Sequence, residues 1–192
     1  HNTEVGGFCL RLFKKGMWVP VVVDDLLPML LRDNWTNDNR GIAGAHANEC
    51  SSIWVSLIEK AVAKFYGSYG ELNRGYVHHA LEDLTGSESE CILLSAASRG
   101  AGKRALWDSI IKYQSNGYII GAGTGSSALV DKELVDMGIT FNSSYPIYAA
   151  WHIDGLKIVK LRNPPGHHEL WKGDWGLESP LWTSRLKVKL GY

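Results

Sequence analysis

The dipeptide Asp154-Gly155 constrains this chain more than any other pair of residues. It separates two apolar runs, Tyr145 to Ile153 and Leu156 to Leu161, and Asp-Gly tolerates the positive φ angles that a type I′ turn demands. The two runs are therefore expected to form an antiparallel hairpin. Leu161-Arg162-Asn163-Pro164-Pro165-Gly166 then leads into a tryptophan-dense tail.

Upstream, Phe8 to Phe13 and Trp18 to Val23 read as a hairpin closed by Lys14-Lys15-Gly16 and ended by Asp24-Asp25 and Pro28. Residues 32–48 are polar and read as a long loop. After Ser51-Ser52, apolar residues at Trp54, Leu57, Ile58, Ala61, Val62 and Phe65 keep helical spacing. Serine before this run suits the free amides of a helix start, and Gly67 suits its end. Further helices are expected over Tyr76 to Leu84 and Lys103 to Gln114, the latter with Leu106, Trp107, Ile110 and Ile111 on one face and Asn116-Gly117 as its stop. Tyr118 to Ala122 reads as a buried strand and residues 131–137 as a short helix. Helices first and antiparallel strands later argue an α+β fold.

A chain of 192 residues supports one ordinary core, or two small lobes at most. Its formal charge is zero and its pI about 7.2, which removes the electrostatic case for nucleic acid or an anionic membrane. No run approaches the roughly 18 apolar residues of a membrane-spanning helix. The three cysteines, Cys9, Cys50 and Cys91, are scattered and odd in number, so an intracellular, reducing setting fits better than a disulfide framework. The chain opens at His1 without a signal peptide, as if cut from a larger protein.

Other constellations are weaker. His167-His168-Glu169 with His78-His79 and His46 suggests zinc chemistry, but adjacent ligands are geometrically awkward, and solvated loop histidines are the simpler reading. Gly121-Ala122-Gly123-Thr124-Gly125-Ser126 lacks the lysine of a phosphate loop and reads as a flexible loop. Among the eight tryptophans, Trp171, Trp175 and Trp182 fall in a loop-rich segment where some are expected to be exposed to a partner.

Five blocks in order carry a resemblance: Trp18 to Pro28, Trp54 to Lys64, Gly67-Ser68-Tyr69, Glu82 to Gly86, and Arg162-Asn163-Pro164. Together they resemble calpain-type cysteine peptidases, and Val77-His78-His79-Ala80-Leu81 resembles the calpain-like proteins of trypanosomatid parasites. The resemblance implies a papain-like fold, the remainder of a first lobe over residues 1–86 and a second lobe over 87–192. It also implies calcium-dependent cysteine endopeptidase activity resting on a Cys-His-Asn triad.

Asn163 matches the family asparagine, whereas a gapless register through the Asp154-Gly155 turn puts Ser143 at the histidine position. Serine cannot act as the imidazole base. No segment matches the family's cysteine motif. Cys50, before the helix, is the least unsuited of the three thiols, and His152 is the histidine nearest to the required place but belongs to the hairpin tip. Pro165 replaces the shielding tryptophan. Glu49 and Glu169 keep the approximate spacing of family calcium ligands, although Leu170 is inserted and Leu177 replaces a further acid beside Glu178.

The expectation is therefore a pseudopeptidase, cytoplasmic or cytoskeleton-associated, that binds or scaffolds another polypeptide. The alternatives are an active calcium-dependent endopeptidase whose nucleophile lies upstream, and a metal hydrolase using His167, His168 and Glu169.

Overall fold

A computed structural model describes residues 6–30, 41–45, 52–73, 75–97, 100–125, 132–164 and 170–191. The chain divides into two compact units, His1–Glu90 and Cys91–Tyr192. It is mixed helix and antiparallel sheet.

The first unit opens with strands β1 (Gly7–Lys14) and β2 (Met17–Asp24), paired without a slip from Gly7 opposite Asp24 to Lys14 opposite Met17. Lys15 and Gly16, with φ of 49° and 76°, make the turn. Alternation along β2 sends Val21 and Val23 inward and Trp18, Pro20 and Val22 to solvent. Helix α1 (Trp54–Tyr66) lays Leu57 and Ala61 against Leu12, Val21 and Val23, and Ala61 is small enough to be completely covered. Trp54, expected on that face, is instead exposed.

Polar contacts lock α1 from two sides. Lys64 Nζ donates to the Val22 carbonyl at 2.7 Å, and Lys60 pairs with Asp24. The hydrogen bond from Lys60 and a second from the Leu26 amide hold the Asp24 carboxyl below the usual carboxylate range. On the other side, Ser56 Oγ donates to the Ala45 carbonyl at 2.8 Å, and Glu59 accepts from the Ala45 amide at 2.9 Å. Gly44, at φ 99°, holds a backbone conformation that residues with a side chain rarely adopt.

Several expectations are corrected. Strands precede as well as follow the helices, because the β1–β2 hairpin leads the chain. Within the expected loop of residues 32–48, Gly41–Ile42 forms strand β4, paired with β3 (Met29–Leu30). Ile53 caps α1 with no side-chain hydrogen bond, so serine does not close that helix start, while Gly67 ends it at φ 114°.

Helix α2 (Val77–Thr85) packs against β1 and stops at Gly86 in the left-handed region. The Tyr66 hydroxyl donates to Asp83, and Lys14 lies 3.9 Å from the centre of the Tyr66 ring. Burial first, then Asp83, pushes the phenol up to about 12.

In the second unit, short helix α3 (Leu94–Ala97) precedes α4 (Ala101–Ser115), which ends at Asn116-Gly117 as expected. A three-stranded antiparallel sheet follows in the order β5 (Ile120–Gly123), β6 (Ser144–Ile153), β7 (Leu156–Leu161), with α5 (Lys132–Asp136) between β5 and β6. Asp154 and Gly155, with φ of 50° and 80°, turn β6 into β7. The expected buried strand at Tyr118 is corrected: β5 starts at Ile120 on the sheet edge, and Tyr118 and Ile119 are exposed.

Beyond the end of β5, the Gln114 side chain takes over the role of a neighbouring strand. Its Nε2 donates to the Ala150 carbonyl at 3.2 Å and its Oε1 accepts from the Ala150 amide. Helix α6 (Ser184–Leu190) is capped by Thr183, whose hydroxyl accepts from the Leu186 amide at 3.2 Å. Lys189 and Arg185 then reach Asp154, and the Lys189 hydrogen bond holds that carboxyl below its ordinary range.

Two outcomes follow for the first unit. Leu12→Ala opens a cavity beneath α1 and is expected to cost about 2–5 kcal/mol in urea unfolding. The raised Tyr66 phenol makes the unfolded chain release its proton first, so stability falls as pH rises from about 10 to about 12. Tyr66→Phe should flatten that slope in pH-dependent denaturation.

Candidate functional site

The start of β6 is built around one hydroxyl. Thr124 follows β5, and its Oγ1 donates to the Thr140 carbonyl at 2.7 Å while accepting the Ser143 amide at 3.0 Å. The Thr124 amide returns a bond to the Ser143 carbonyl at 2.9 Å, and the Asn142 amide bonds the Gly125 carbonyl at 2.9 Å. Ser143 is buried, and its own Oγ donates to the Phe141 carbonyl at 3.1 Å. Two residues on, buried Tyr145 accepts the Thr140 amide on its phenol oxygen at 2.8 Å. Every buried side-chain polar atom among the described residues has a partner.

This corner is held together by alcohols and backbone groups. Its hydroxyls act as hydrogen-bond donors and acceptors. The flexible loop expected over Gly121 to Ser126 is corrected for its first residues, while Ser126 lies outside the described residues. Gly121 and Gly123 lie in β5, paired with Pro146 and Ser144, and Thr124 ties the exit of that strand to β6.

Asn163 lies just beyond β7. The Arg162 amide donates to the Pro146 carbonyl at 3.0 Å, so the chain leaves the sheet at the end where β6 begins. Asn163 is half-buried there, at the same end of the hairpin as Ser143. Arg162 reaches along β6 to the Tyr148 hydroxyl at 3.2 Å.

The other sequence candidates fall elsewhere. His152 is not a turn residue: it sits in β6 opposite Lys157, at the far end of the strand from Ser143. Cys9 and Cys91 are exposed free thiols. Cys50, Glu49, His46 and the segment His167-His168-Glu169 lie outside the described residues, so neither the calcium acids nor the zinc cluster has described geometry. Among the described residues no three His, Cys, Asp or Glu side chains converge as a metal site. His78 and His79 pack on each other, with ring centres 4.3 Å apart, and on Tyr76.

The tryptophan tail satisfies itself. Trp171 Nε1 donates to the Asp174 carbonyl at 2.7 Å, Trp182 Nε1 to the Gly176 carbonyl at 2.6 Å, and Trp175 meets Trp182 edge-on at 5.1 Å. The exposed aromatic patch expected there is therefore replaced by half-buried rings.

Comparison with known proteins places this fold. Residues 1–191 match the calpain family cysteine protease domain. The chain is 35% identical over 190 residues to the calpain-type cysteine protease DEK1 of Arabidopsis thaliana, covering 97% of this chain and 8% of that protein. It is 31% identical over 202 residues to the calpain-1 catalytic subunit of Macaca fascicularis, covering 99% of this chain and 26% of that protein. It is 34% identical over 181 residues to calpain-14 of Homo sapiens, covering 92% of this chain and 24% of that protein. The chain belongs to the calpain family of cysteine proteases. It corresponds to a small part of each of these longer relatives. No helix among the described residues is long and apolar enough to cross a membrane.

Thr124→Val keeps the shape of the corner and removes its central hydroxyl, leaving the Ser143 amide and Thr140 carbonyl short of a partner. A loss of about 1–3 kcal/mol is expected in chemical denaturation.

Proposed function

We propose that this chain is a degenerate calpain protease core, papain-like in fold, that binds or scaffolds a polypeptide and does not cleave it. The observation that carries this reading is Ser143. In the family resemblance, counted without gaps through the Asp154-Gly155 turn, it would stand at the histidine position, and its amide, carbonyl and hydroxyl are all engaged within the corner.

A cysteine peptidase needs an imidazole to take the thiol proton and later deliver it to the leaving amine. An alcohol does neither near neutral pH, because its own proton is far too weakly acidic and its oxygen far too weakly basic. Asn163 normally orients that imidazole, and in this reading it is a retained part of the hairpin end with no ring to orient. Residues 1–86 and 87–192 would be the two calpain lobes, and the partner would be a polypeptide. The exposed thiols of Cys9 and Cys91 support an intracellular, reducing setting, cytoplasmic or cytoskeleton-associated.

Calcium is the ion that the family resemblance implies. Glu49 and Glu169 are the acids it would use, and as hard oxygen ligands they suit that ion. No catalytic step is assigned to it.

The test is to treat the full-length protein with a cysteine-directed epoxide probe and a fluorogenic peptide, with and without calcium, beside an active calpain. Neither adduct nor cleavage is expected. Calcium-dependent labelling of one cysteine together with turnover would overturn this reading in favour of an active endopeptidase with its nucleophile upstream. Ser143→His places a larger ring in a closed position. It should lower stability by about 1–3 kcal/mol in urea unfolding and still yield no cleavage.

A further inference from the structure

A shallow groove of about 540 Å³ lies where α4 meets the turn end of the β6–β7 hairpin. Its floor is Trp107, over which the Lys157 ammonium sits 5.4 Å from the ring centre. Arg104 and Lys112 come from α4, His152 and Lys157 from the hairpin, and Asp108 is the lone carboxylate. Among the described residues, Arg104, Lys112 and Lys157 form no ion pair. In a chain whose formal charge is zero, three cations with no ion pair among the described residues, against one acid, make a local positive site.

The groove continues along the helix. A second depression of about 410 Å³, bordered by Gly100, Ala101 and Ala105, shares Arg104 and Asp108 with the first. Helix α4 has 15 residues, so its length is about 22 Å at roughly 1.5 Å per residue. That length suits about six residues of extended peptide. His152 stands eight residues along β6 from Ser144, about 27 Å at roughly 3.4 Å per residue, so the groove is separate from the Ser143 corner.

We infer that this groove binds an acidic peptide segment, laid along α4 with its carboxylates on Arg104, Lys112 and Lys157. Two features favour a peptide over a nucleic acid. Asp108 interrupts the positive surface and would repel a continuous phosphate backbone, whereas a peptide can place a neutral or donor residue there. Trp107 is already covered by Lys157, so its face does not offer a platform for stacking a base. The inference concerns the second unit alone and holds whether or not the protein cleaves peptides.

The test is fluorescence anisotropy of a labelled peptide of alternating glutamate and serine, about six residues long, with the full-length protein at low salt. Saturable binding is expected, weakened about tenfold or more by Lys112→Glu/Lys157→Glu and less by Lys112→Gln/Lys157→Gln. Lys103→Glu/Lys132→Glu changes the net charge equally at exposed positions outside the groove and should leave affinity within about twofold. Thermal melting verifies that each variant is folded. Absence of binding to the folded protein, equal losses in the two charge-reversal pairs, or equally tight binding of a single-stranded oligonucleotide of matching length would overturn the inference.

Discussion

The hydroxyl of Thr124 is the contact on which the second unit's site depends. One oxygen joins the exit of β5, the Thr140 carbonyl and the Ser143 amide, and so determines where β6 starts. Once that start is fixed, pairing of β5 with β6 carries Tyr145 into the core and the Asp154-Gly155 turn sets the register of β7. Asn163 then emerges beside the same corner because Arg162 is tied to Pro146. A single side-chain oxygen among backbone groups thus links the exit of β5 to the stretch from Thr140 to Ser143.

Three helix side chains likewise reach backbone groups of other segments. Gln114 supplies backbone partners to Ala150, Lys64 reaches the Val22 carbonyl, and Ser56 reaches Ala45. Side chains on helices complete hydrogen bonds that the short sheets leave open, which a fold of two- and three-stranded sheets needs at its edges. This scaffold is independent of catalytic chemistry. Serine, threonine and backbone groups alone hold the end of the hairpin in place.

Much of the fold was legible in the sequence because its strongest signals are local. The two turns need residues that accept positive φ, and Lys15-Gly16 and Asp154-Gly155 supply them. The spacing of Leu57, Ala61 and Phe65 marked α1, and Asn116-Gly117 marked the end of α4. What the sequence hid was non-local. Nothing near Thr124 announces that its hydroxyl will bond to Thr140, and the flanking glycines suggested mobility. Likewise Gln114 gives no local sign of its partner in β6, and the tryptophan tail gives no sign that carbonyls of its own loops will take the indole donors. That Ser143 and Asn163 lie at one end of the hairpin follows from counting through a turn of fixed length. How Ser143 is held does not, since its partners come from Thr124 and Phe141 rather than from the hairpin itself.

Amide hydrogen exchange at Ser143, read by residue-resolved NMR in the full-length protein, tests most directly whether this corner is closed. The account predicts slow exchange, comparable to the Ala150 amide in the middle of β6, because both amides are donated to a side-chain acceptor in a covered place. Exchange as fast as that of a residue in an exposed segment such as Tyr118 would contradict it. Position 143 would then belong to an open site, and the case for a structural serine in place of a catalytic base would fall.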